Sequence, residues 1–109
     1  MSDRVIENLE QILEYSKRAA AYIEEAKTLE CFLGDTKTQD AVMMMLLNIG
    51  ELANHLPDEY IDAHPSIPWR AMVNFRNIAA HGYQIILMDR VWGIATESLP
   101  LLIDFLEQI

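Results

Sequence analysis

Apolar residues recur along this chain at the spacing of one α-helical face, and that periodicity most narrows what it can fold into. Between Ser2 and Leu29 they fall at Val5, Leu9, Ile12, Ala19, Ile23 and Ala26. These steps of three, four and seven return to the same side of a helix. Glu7, Glu10, Glu14, Lys17, Arg18, Glu24 and Lys27 occupy mostly the other faces, as a solvated surface requires. Cys31-Phe32-Leu33-Gly34 breaks the pattern and reads as a turn. A second helix starts near Asp35–Thr38, where Thr36-Lys37-Thr38-Gln39 has capping-box spacing, and runs to about Leu56, before Pro57. From Ala41 to Leu47 it is apolar nearly all round, the mark of a helix covered on several sides. Its Met43-Met44-Met45 run reads as core or subunit-interface packing.

Pro57 to Ile67 is a polar connection with a short helical turn around Asp58–Ala63. Pro68 sits where a third helix opens, at the position where a missing N–H does no harm. That helix carries Trp69, Met72, Val73 and Phe75, with Gly82 as its terminator. A fourth begins with Asp89 as N-cap and presents Val91, Trp92, Ala95, Leu99, Leu102, Ile103 and Leu106. Pro100 lies inside it and should kink or divide it. Gln84–Met88 is too short for a strand and has no partner. The expectation is an all-α fold, an antiparallel bundle of four to five helices, with residues 1–109 forming one domain. Trp69 and Trp92 read as core.

Several function classes drop out on composition. The lone Cys31 closes no internal disulfide, and no Cys/His cluster has the spacing of a zinc site. A reducing cytoplasm is the natural setting, and nothing calls for a metal or an organic cofactor. The start, Met1-Ser2-Asp3-Arg4, has no signal-peptide core, and the longest apolar run is far short of a membrane span. With 8 Lys+Arg against 17 Asp+Glu, the net charge is −9, and the deficit extends over both halves. No basic stripe exists to bind nucleic acid through counterion release, and an anionic membrane should repel the chain.

One segment nevertheless carries phosphate chemistry: Arg76-Asn77-Ile78-Ala79-Ala80-His81-Gly82-Tyr83. Arg76 is a permanent cation with a planar fork of donors suited to phosphate. His81 accepts and returns a proton near neutral pH, and Tyr83 adds a phenolic hydroxyl. Asn77 and His81, four apart, share a helical face, so Asn77 is placed to orient the imidazole or touch the same ligand. Arg76 and His81, five apart, share one only if the helix ends near His81. From this composition, chance produces about 0.14 Arg-x4-His matches and about 0.005 once the tyrosine is added.

Arg76-x4-His81-x-Tyr83 resembles the signature of HEPN-domain toxins of the HepT type. Gly50-Glu51, Ile67-Pro68-Trp69, and Trp92 with Leu99-Pro100 sit where that family places similar residues. The resemblance implies a homodimer whose motif helices line one cleft, giving a composite site with two copies of Arg76 and of His81. It implies metal-independent cleavage of RNA, which would be a transient partner. It also implies a minimal nucleotidyltransferase antitoxin that transfers AMP to the motif tyrosine, Tyr83 here.

Plainer roles stand beside these. Arg76 can simply pair with an acidic neighbour, His81 can cap the third helix, and Tyr83 can pack at the bundle's edge. Glu51 is either a buried partner for Arg76 or a residue at the helix's exposed end; with Asn77 it is a supporting candidate. His55 and His64 read as solvated. The alternative function is a non-catalytic helical module that binds a nucleotide or a partner, for which Arg76 alone suffices.

Overall fold

The computed structural model describes residues 1–82 and 86–109. Within them the chain is helical, with no strand. Helix α1 spans Asp3–Ala26, and the Ser2 hydroxyl caps it by accepting from the Val5 N–H at 3.2 Å. Its buried stripe is Val5, Leu9, Ile12, Ser16, Ala19 and Ile23, the face that the spacing predicts with Ser16 added and Ala26 only partly buried. The helix stops at Lys27, whose φ of 73° lies in the left-handed region, and the Thr28 N–H bonds back to the Ala26 carbonyl at 2.9 Å. That is a classic γ-turn, a rare conformation outside glycine.

The expected turn at Cys31–Gly34 is instead mostly helical: α2 spans Leu29–Leu33. The Thr28 hydroxyl accepts from the Cys31 N–H at 3.1 Å, and the single turn buries Phe32 completely. A short helix with little intrinsic stability is held by its cap and its one core residue.

Helix α3 spans Thr36–Asn54. Asp35 is its N-cap: Oδ1 accepts from the Thr38 N–H at 3.1 Å and Oδ2 from the Thr38 hydroxyl at 2.6 Å. These bonds hold its carboxyl below the usual carboxylate range. Gln39, expected to close a capping box, instead donates to the carbonyls of Phe32 and Leu33 at 2.9 and 3.1 Å, tying α3 to α2. Helix α3 packs against α1 and α2 and buries Val42, Met43, Met45, Leu46, Ile49, Gly50 and Ala53. Met44 is half-exposed, so the coverage is incomplete.

Helix α4, Asp58–Ala63, puts Tyr60 into the core, and α5, Trp69–Ala79, starts one residue later than expected, with Pro68 as its N-cap, and packs against α3. Trp69 is 1% exposed and lies edge-on to Tyr60 and Phe105, with centroids 5.9 and 6.1 Å away. His64 is not solvated as expected. Its ring is partly buried, 4.4 Å from Tyr60 and 5.4 Å from Phe105. Trp92 is half-buried against Phe32, at 5.4 Å.

The last apolar stretch divides into α6 (Met88–Gly93), a π-helical turn (Ile94–Ser98) and α7 (Leu99–Glu107). Leu87, not Asp89, holds the cap position. Asp89 lies inside the first turn, where the helix dipole still favours its charge. Pro100 is the physical reason for the division: its ring would strike the Thr96 carbonyl in a continuous α-helix. The chain widens instead, and the Leu99 N–H reaches the Ile94 carbonyl, five residues back. This underwinding keeps Val91, Ala95 and Leu99 buried together. Among the described residues no helix is long and apolar enough to cross a membrane.

Candidate functional site

The site begins with an absence of side chain. Gly50, buried on α3, faces α5 so closely that a Cβ there would collide with the Arg76 Cβ and lie 2.8 Å from the Met72 carbonyl oxygen. Only a glycine lets the two helices approach to this distance. The base of Arg76 is therefore pinned against α3, and its guanidinium is directed onto the residue that follows the glycine. Arg76 Nη2 meets Glu51 Oε2 at 2.8 Å, and Arg76 Nη1 donates to Asn77 Oδ1 at 2.9 Å. The other Glu51 oxygen, Oε1, lies 3.2 Å from His55 Nε2, one turn along α3.

Glu51 thus takes the first of the two roles open to it, partner to Arg76, although it is half-exposed rather than buried. With the Arg76 side chain 36% exposed and that of Glu51 45%, water screens the pair, and its net stabilisation is about 1 kcal/mol or less. A guanidinium whose ion pair is this weakened by solvent can exchange a carboxylate for a phosphate, two of whose oxygens fit the same fork of donors.

Helix α5 ends at Ala79, two residues earlier than the motif needs for an unbroken helix. The N–H groups of Ala80, His81 and Gly82 then bond to Arg76, Ile78 and Ala79 at 2.9, 3.1 and 3.1 Å. Gly82, with φ 133°, turns the chain away, as expected of a terminator. His81 therefore stands on the turn rather than on the helix. The ideal-helix reasoning that separates it from Arg76 and aligns it with Asn77 does not apply. Asn77 accepts from Arg76 instead. The His81 side chain is exposed, and among the described residues its ring makes no hydrogen bond, so it does not cap α5. Tyr83 lies outside the described residues. No group of three His, Cys, Asp or Glu side chains among those described is arranged to hold a metal ion.

Two features escape a reading of the sequence. The Gly50–Arg76 contact depends on which helices are neighbours, which local spacing does not encode. The Glu51–His55 bond was visible in principle as an i,i+4 pair, but His55 stands next to a polar connection and looks like ordinary surface.

Residues 4–109 match the family described as Ribonuclease HepT-like. The chain belongs to the HepT-like ribonuclease family. It is similar to a protein of Methanocaldococcus jannaschii provisionally named an RNase, at 31% identity over 105 residues, 96% of this chain and 80% of that protein. It is also similar to a protein of Thermococcus cleftensis provisionally named ribonuclease HepT, at 36% identity over 91 residues, covering 81% of this chain and 83% of that one. No solved structure matches the chain. This membership agrees with the expectation drawn from the motif, and it makes a ribonuclease reaction the chemistry against which Arg76 and His81 are to be read.

Proposed function

We propose that the chain is the toxin of a toxin–antitoxin pair, a metal-independent endoribonuclease acting as a homodimer with a composite Arg76/His81 cleft. Membership in the HepT-like ribonuclease family, over residues 4–109, carries this reading. The placement of Arg76 by Gly50 and the exposed imidazole of His81 support it.

In this reading the ribose 2′-OH attacks the adjacent phosphorus, which is why RNA and not DNA is cut. His81 takes the 2′-OH proton or returns one to the departing 5′-oxygen. Arg76 stabilises the charge that builds on the phosphorane oxygens. The bond formed is 2′-O to phosphorus and the bond broken is phosphorus to 5′-O, so no outside reactant is needed for cleavage. Glu51 and Asn77 hold the guanidinium ready, and residues 1–109 act as one domain. The antitoxin, a minimal nucleotidyltransferase, would transfer AMP from ATP to the Tyr83 hydroxyl, forming the Tyr83 oxygen–α-phosphorus bond and releasing pyrophosphate. A phosphate added two positions past His81 would compete with the substrate for Arg76 and His81.

The test is RNA degradation by the purified protein with a chelator present. Wild type is expected to cleave, and His81→Ala to lose about two to four orders of magnitude in rate. Equal weak activity in both overturns the reading. The Arg76–Glu51 pair favours a second one, a phosphate-recognition module without catalysis. In that case Arg76→Ala loses partner binding while His81→Ala changes nothing.

A further inference from the structure

The Arg76–Glu51 pair has a third member. Glu51 Oε1 lies 3.2 Å from His55 Nε2, so one carboxylate is divided between a permanent cation and an imidazole that is cationic only when protonated. Each sign of charge in this trio has a defined consequence. With His55 neutral, Arg76 and Glu51 cancel, and an incoming phosphodiester meets a site with no net charge. With His55 protonated, the trio carries one positive charge, and Glu51 has an alternative partner on its own helix. Its carboxylate can then pass from Arg76 to His55, releasing the guanidinium to the phosphate.

We propose that His55, acting through Glu51, is a positioning residue that couples proton uptake to the capture of a phosphodiester by Arg76. The proposal rests on the phosphate-binding role of Arg76 and not on cleavage. Coupling of this kind is reciprocal. Phosphodiester binding raises the titration midpoint of His55, because a Glu51 carboxylate freed from Arg76 stabilises the imidazolium. Lower pH correspondingly tightens binding.

Among the described residues, the charged group in contact with His55 is Glu51, and other charges stand near it without touching it. From α5 the group is Arg76, reached through Glu51, with the neutral Asn77 on its far side. Asp58 and Glu59 open α4 just beyond His55, and Asp58 is turned to Arg70 at 3.9 Å. Helix α1, which also packs on α3, directs its Lys17 to Glu107 at 3.3 Å. The His55 side chain is 60% exposed, so it exchanges protons with solvent freely and its replacement leaves the core untouched.

The experiment follows the His55 imidazole resonance of the full-length protein by NMR across pH 5–8, with and without a thymidine dinucleotide. That probe carries one phosphodiester, keeps its charge over the range and has no 2′-OH to react. The His55 midpoint is expected to rise when the probe is bound. Glu51→Gln is expected to abolish that rise and to tighten probe binding at pH 7.5 by about two- to fivefold, the range of a half-exposed ion pair. His55→Gln is expected to flatten the pH dependence of binding that remains beyond the share of His81, read from His81→Ala. A His55 midpoint indifferent to bound probe, an unchanged affinity in Glu51→Gln, or no probe binding overturns the proposal. Loss of RNA cleavage with the coupling intact counts against the ribonuclease reading alone.

Discussion

Gly50 decides where Arg76 stands. A buried glycine inside a helix is a poor helix former, weaker than alanine by about 1 kcal/mol. It is tolerated in α3 because any Cβ would meet the Arg76 Cβ and the Met72 carbonyl. Gly50→Ala therefore sets helix propensity against helix contact, and contact wins: one of the two colliding groups is backbone and cannot rotate away. The variant is expected to lose about 1–3 kcal/mol, the usual cost of overpacking, measured by urea unfolding. It should also weaken phosphodiester binding more than the Asn77→Ala change does, because it shifts the base of the arginine and not only one of its hydrogen bonds.

At the scale of elements, two breaks shape the bundle, and each has a local cause. The π-helical turn follows from Pro100 and preserves a continuous buried face through Val91, Ala95, Leu99 and Leu102. The break between α1 and α2 falls on Lys27, held at φ 73° and ψ −47° in its γ-turn. A side chain in that conformation carries about 1–3 kcal/mol of strain, whereas glycine adds up to about 1 kcal/mol of unfolded-state entropy. Lys27→Gly is accordingly expected to stabilise the protein by about 1 kcal/mol. Thermal unfolding monitored by circular dichroism would show this as a rise in Tm; a fall would mean that α2 does not depend on this geometry.

For the whole molecule the dominant quantity is charge. At −9, the protein repels a polyanion everywhere except where a few cations gather. If the composite cleft contributes only its two copies of Arg76, about two phosphates are neutralised on binding. The logarithm of affinity for single-stranded nucleic acid should then fall with the logarithm of salt concentration with a slope near about −1.4. Filter binding over a salt series using a 2′-deoxy oligonucleotide measures it. A slope several times steeper would reveal a basic surface that this composition does not provide. The same acidic exterior suits any partner that presents a basic face.

The sequence alone determined the helical class, the buried stripe of α1, the opening of α5 behind Pro68, the interruption at Pro100 and the Arg76/His81 candidates. All are properties of spacing and of local backbone chemistry, which act over a turn or two of chain. Apart from the cap of α6, which fell on Leu87 and not Asp89, its errors lay where two elements meet. The Cys31–Gly34 segment became a helix because Phe32 is buried by distant residues, and His64 left the solvent to lie between Tyr60 and Phe105. Gln39 ignored its capping box for the carbonyls of α2. The partner of Arg76 was open in the sequence, because Glu51 lies 25 positions away and only the contact at Gly50 brings it within 2.8 Å. Which residues are candidates for the chemistry is written in side-chain type and spacing; which of them share a charge was decided by helix packing, through contacts that no local pattern records.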